Sequence, residues 1–195
     1  MKRLSLHALA IILLSTFAGT AAAADSLKVG DAVGAFYVSK VAGAEDDGVN
    51  VGQELCYRCR YGSRPMVMVF TRQANGKLTE LVKELDAAIS TNEETQLRGL
   101  ITFMGNDVAE VKDNASEFAK TSGAKQVPIV IAKETKTGPP NYRLDDSAVT
   151  IFIARDSQVV SVHRGEADDI DVPTLMRQVK KMLSSDKAKN VASPL

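Results

Sequence analysis

The stretch Pro65–Ser90, PMVMVFTRQANGKLTELVKELDAAIS, changes its hydrophobic period halfway along. PMVMVF is an unbroken apolar run, the pattern of a strand covered on both faces rather than one with a wet side. Beyond the polar TRQANGK, the residues Leu78, Leu81, Val82, Leu85, Ala88 and Ile89 recur three and four apart. That spacing predicts an amphipathic helix lying on the sheet to which the strand belongs. A buried strand passing into a one-faced helix sets the fold class as α/β.

The same alternation continues downstream. LRGLITFMG (97–105) predicts a second buried strand, and Asn106 or Asp107 can cap a helix with Val108, Val111, Ala115, Phe118 and Ala119 on one face and Gly123 just past its end. VPIVIA (127–132) predicts a further strand, followed by a Gly-Pro-Pro loop and NYRL (141–144). VTIFIARDSQVVSVHRG (149–165) then predicts two antiparallel strands turning around Arg155 to Ser157. A closing helix is expected to open near Asp171, with Pro173 in its first turn and Leu175, Val179, Met182 and Leu183 inward. Upstream, AFYVSKV (35–41) predicts a strand, leading through the Gly- and Asp-rich AGAEDDGVNVGQ (42–53) to ELCYRCR. The resulting order is a central sheet with helices on both faces and an extra strand or hairpin at the N-terminal side.

The chain of 195 residues begins MKRLSLHALAIILLSTFAGTAAAADS, with Lys2 and Arg3 ahead of an apolar run and small residues up to Ala24. This is the pattern of a signal peptide of bacterial type spanning 1–24, with one domain expected over 25–185 and a flexible tail over 186–195. The expected destination is the periplasm or the extracellular space. The apolar run is shorter than the roughly 20 residues of a membrane span, so no stable insertion is expected after cleavage. Cleavage removes two bases and no acid, leaving a weakly acidic chain for which nucleic acid is a poor partner. Oligomeric state is left open.

The element order, together with NYRL followed by VTIFIARDSQVV, resembles the thioredoxin-like superfamily over roughly Val29 to Ser185, and within it the redoxin branch of peroxiredoxins and TlpA-type exported proteins. The resemblance implies a thioredoxin-like fold with a central mixed sheet. It also implies a reactive cysteine after the first central strand, at the start of the first helix. Here that position holds TRQANGK, with Thr71, Arg72 and Asn75 and no sulfur, and Val149 stands where the family usually has a cis-proline. A standard thioredoxin or a peroxiredoxin peroxidase is therefore not expected.

Both cysteines, Cys56 and Cys59, lie before the strand instead. In an oxidising compartment two cysteines at this spacing can bond. An extended chain would put their Cα atoms roughly 10 Å apart, beyond the ~7 Å limit for a disulfide, so bonding requires a bend at Tyr57 and Arg58. One reading is a reversible thiol–disulfide couple acting on thiols or disulfides of other exported proteins, with Arg58, Arg60 and Arg64 favouring thiolate. A second is a structural disulfide that pins the loop in a non-enzymatic structural or binding protein. A metal site is the third, but two thiolates and the single mature histidine, His163, fall short of a closed four-ligand set, and no metal or other cofactor is expected. Tyr57 and Tyr61 interleave with the arginines, either as snorkelling surface residues or as a patch for an anionic partner. AEDDGVN lacks the ligand alternation of a calcium loop and is expected to be a solvated turn, and NAS at Asn114 falls within a predicted helix.

Overall fold

A computed structural model of the chain describes residues 26–191, with side chains as far as 184. The signal-peptide segment 1–24 lies outside the described residues. Seven strands form one mixed sheet in the order β2-β1-β5-β4-β3-β6-β7. They are β1 (Val38–Ala42), β2 (Glu54–Leu55), β3 (Met66–Thr71), β4 (Arg98–Phe103), β5 (Ile129–Ala132), β6 (Val149–Arg155) and β7 (Gln158–Gly165). The helices are α1 (Tyr57–Tyr61), α2 (Gly76–Thr91), α3 (Val108–Ser122) and α4 (Val172–Val191). No described helix is long and apolar enough to cross a membrane.

PMVMVF occupies the position its composition demands. All six residues of β3 are buried, and the strand lies between parallel β4 and antiparallel β6. Strand alternation sends Val67 and Val69 to one face and Met66, Met68 and Phe70 to the other, so β3 feeds two cores. The first core takes the buried stripes of α2, α3 and α4, including Leu78, Leu85, Phe118 and Val179. The second is closed by α1, the segment from Leu27 to Phe36, and the 3-10 turn Pro140–Tyr142, where Phe36, Phe70, Tyr142 and Phe152 pack ring against ring. Helices thus cover both faces, but very unequally: three long ones on one side, and one of five residues on the other.

Element boundaries follow the local signals. Asp107 caps α3, its carboxylate accepting from Ala109 N and Glu110 N, and Gly123 ends that helix at φ 64°. Asn75 caps α2. The hairpin β6–β7 turns at Asp156 and Ser157, whose φ values of 52° and 64° give the positive pair that a tight two-residue hairpin turn needs. The extra N-terminal hairpin is present as β1–β2, and β1 pairs in turn with β5.

NYRL, to which the sequence reading gave no element, enters a 3-10 turn that Pro139 and Pro140 start and that buries Tyr142. Two details differ from the sequence reading. The α4 backbone stays helical past Ser185 to Val191, through residues whose polarity had suggested a frayed tail. ELCYRCR is not loop but the whole of β2, the cap Cys56 and α1 as far as Arg60, a helix too short to leave a hydrophobic period in the sequence.

Candidate functional site

Cys56 and Cys59 form a disulfide with Cα atoms 5.2 Å apart. The bend that the spacing required is supplied by α1. Cys56 is its N-cap in extended backbone (φ −103°, ψ 95°), and Cys59 N donates to Cys56 Sγ at 3.1 Å. Gly62 closes the helix at φ 61°, a left-handed value that a side chain would resist. The two sulfur residues differ in environment: Cys56 is buried at 8% exposure, whereas Cys59 is exposed.

Tyr57 and Tyr61 are core residues, not snorkelling surface ones. Tyr57 is 1% exposed and its hydroxyl donates to Asp47 Oδ2 at 2.6 Å. Tyr61 is buried and donates to the Gly99 carbonyl of β4 at 2.8 Å. Burial pushes both phenols well above the ordinary tyrosine range, and for Tyr57 the neighbouring Asp47 carboxylate pushes the same way.

Asp47 is the centre of a clasp that the sequence reading took for a solvated turn. Alternation along β1 places Lys40 on the α1 side of the sheet, where it is 3% exposed. Its ammonium donates to Asp47 Oδ1 (2.8 Å) and to the carbonyls of Ala44 and Val49 (2.9 Å each). Asp47 Oδ1 also accepts from Val49 N, and Arg60 donates to the Asp47 carbonyl. Partial burial pushes the Asp47 carboxyl upward, but the hydrogen bonds from Lys40, Tyr57 and Val49 outweigh it and hold the group below the usual aspartate value. The one available signal for this clasp was the inward register of Lys40 with Val38.

The arginines do other work than the one their nearness to sulfur suggested. Arg58 donates from Nε to the Val33 carbonyl and from Nη1 to the Gly62 carbonyl. Arg64 binds Gln96 Oε1 and the carbonyls of Arg60 and Tyr61 at the helix end. Among the described residues, no arginine hydrogen-bonds to either sulfur, and the donor on Cys56 Sγ is the backbone N–H of Cys59. The cations fasten α1, and the helix cap addresses the sulfur.

The segment where the resemblance places a reactive thiol is built for capping. Asn75 accepts from Leu78 N and donates to Asp168, and Arg72 donates to the Lys136 carbonyl. It lies at the C-terminal end of β3, whereas the disulfide helix enters β3 from its N-terminal end. Six residues at 3.3 Å put these two positions about 20 Å apart along the strand. No group of three or more His, Cys, Asp or Glu among the described residues is arranged to hold a metal ion.

No family model and no curated protein matches the chain. Solved structures do. A candidate thiol:disulfide interchange protein DsbE from Chlorobium tepidum superposes with a TM-score of 0.58 at 14% identity, over 81% of this chain and 99% of its own. A candidate protein disulfide isomerase from Bacteroides thetaiotaomicron gives 0.57 at 15% identity, over 81% and 91%. AhpC of Mycobacterium tuberculosis gives 0.58 at 12%, over 81% and 99%. At these identities the likeness establishes the fold, which is thioredoxin-like, with a mixed seven-stranded sheet and four helices.

Proposed function

We propose that this is an exported thioredoxin-fold protein that carries out thiol–disulfide exchange at Cys56–Cys59, on thiols or disulfides of other exported proteins. The observation that carries this reading is the asymmetry of the pair: Cys59 is exposed, and Cys56 is buried at a helix cap. A partner thiolate attacks Cys59 Sγ. The Cys56–Cys59 bond breaks, a partner–Cys59 mixed disulfide forms, and the electron pair leaves on Cys56 as a thiolate that the Cys59 N–H stabilises. A stabilised leaving thiolate speeds such a step. A second partner thiolate then attacks the partner's own sulfur and releases Cys59 as thiolate. The partner has lost two electrons to the pair, and its two protons pass to solvent or to the new thiolates. In reverse, Cys59 attacks a partner disulfide and Cys56 resolves the intermediate.

The rival reading, a disulfide needed to hold the loop, is weakened by how α1 is fastened. Tyr57 and Arg60 tie it to Asp47, Tyr61 to Gly99 of β4 and Arg58 to Val33, all without the sulfurs. A bond closing so short a loop adds only about 2 kcal/mol by the chain-entropy relation. Insulin reduction in the presence of dithiothreitol tests the proposal. The wild type is expected to accelerate precipitation, and the Cys56→Ser, Cys59→Ser double variant is expected to match the buffer rate. A wild type no faster than the double variant, or a bond that a glutathione buffer cannot reduce, would leave only the structural reading.

A further inference from the structure

α1 borders a cavity of about 360 Å³, with Tyr57 and Tyr61 in its wall and four cations around it: Arg60, Arg64, Arg98 and Lys125. They come from three separate stretches of chain, namely α1 with the turn after it, the first residue of β4, and the loop between α3 and β5. None of the four forms a salt bridge among the described residues. The acids nearby do not neutralise them. Asp47 is committed to Lys40 and Tyr57, and the Asp86 carboxylate accepts from the backbone N–H groups of Lys125, Gln126 and Val127. Among the described residues, Asp46 alone brings to the wall a carboxylate without a hydrogen bond or ion pair. The chain as a whole is close to neutral, so this excess of positive charge is local.

We infer that the cavity beside α1 binds the carboxylates of an acidic peptide segment, and that the exchange partner presents such a segment next to its reacting cysteine. Guanidinium groups match carboxylates in shape as well as charge. Cations from three stretches of chain suit successive carboxylates along a peptide better than a single anion, and Arg60 directly follows the exposed Cys59. The partner's role rests on the exchange reading, but peptide binding does not. Arg60 and Arg64 spend part of their donors on the fold, whereas among the described residues the Lys125 side chain makes no bond and the Arg98 side chain bonds only to the adjacent Leu97 carbonyl. Those two are the residues to change.

The test is fluorescence anisotropy of a labelled, cysteine-free peptide of alternating glutamate and glycine, against a lysine–glycine control. The wild type is expected to bind the acidic peptide and not the basic one, with affinity falling steeply by about 0.3 M salt. The Arg98→Gln, Lys125→Gln variant, confirmed folded by near-ultraviolet circular dichroism, is expected to bind about tenfold or more weakly. The exposed Lys125→Glu single variant guards against a folding defect and is expected to weaken binding too. Equal binding of both peptides, or unchanged affinity in the variants, overturns the inference. Binding of citrate without binding of the peptide overturns the peptide as occupant. Exchange with acid-flanked and lysine-flanked cysteine peptides separates the two proposals: no exchange with either, alongside intact binding of the acidic peptide, removes the exchange reading and leaves the cavity assigned.

Discussion

Asp47 shows most directly how a polar residue in an unremarkable loop comes to govern the site. Its carboxylate stitches a buried lysine, a buried tyrosine and a loop amide into one unit beneath the disulfide helix. Because its acidity is raised in the folded state, its contribution is complete above the unfolded value near 3.8 and disappears as pH falls through the lower folded value. Thermal unfolding followed at pH 6 and at about pH 3 should therefore show a steeper acid loss for the wild type than for Asp47→Asn. Parallel profiles would contradict the clasp. Tyr57→Phe removes one hydrogen bond to a charged acceptor, and urea unfolding should register a loss of about 1.5–3 kcal/mol. None of this was legible in AEDDGVN. Clustered acids before a glycine read as solvated whenever the partner is Lys40, whose inward direction depends on the register of β1. The arginines mislead for a related reason: adjacency to cysteine in sequence does not say which way a guanidinium points, and carbonyls at the ends of a short helix are competing acceptors.

At the scale of elements the sequence was more informative, because α2, α3, β3 and the β6–β7 hairpin each repeat their signal over several residues. Leu78 to Ile89 could hardly be other than a helix face, and PMVMVF could hardly be an edge. The helix α1 carries no such repetition; five residues give a single turn, and it is held by tertiary bonds from its tyrosines and arginines rather than by propensity. The turn Asp156–Ser157 offers a test of local geometry. A serine at φ 64° carries a left-handed cost that glycine does not, and its side chain makes no bond among the described residues. Ser157→Gly is expected to stabilise the protein by about 0.5–1 kcal/mol, seen as a rise in Tm, despite the added freedom of the unfolded chain. A fall in Tm would show that the turn is not strained.

For the molecule as a whole, the fold that the resemblance implied is the one observed, and the cysteines do not stand where the resemblance places a reactive thiol. Packing fixes this: Tyr61 bonds the Gly99 carbonyl beside Val67, which holds α1 and its cysteines near the N-terminal end of β3. Reduction should lower stability by no more than about 2 kcal/mol, or roughly 4–8 °C in Tm for a chain of this size, with secondary structure unchanged by circular dichroism. A reduced protein that unfolds would return the disulfide to a purely structural role. The unequal cover of the sheet has a further consequence. One face is bolted by three long helices, while the other is closed by a single short turn, an irregular strand of chain and a few aromatic rings. Stability in such a molecule is not evenly spread, and the thinly roofed side is the one to breathe first. Amide exchange should be fastest in β2 and α1 and slowest in β3 and β4. Cys56 then becomes reachable in a partly open state while the far side of the sheet stays shut, so access to the buried sulfur is set by a local equilibrium that solvent conditions or a bound partner can tilt.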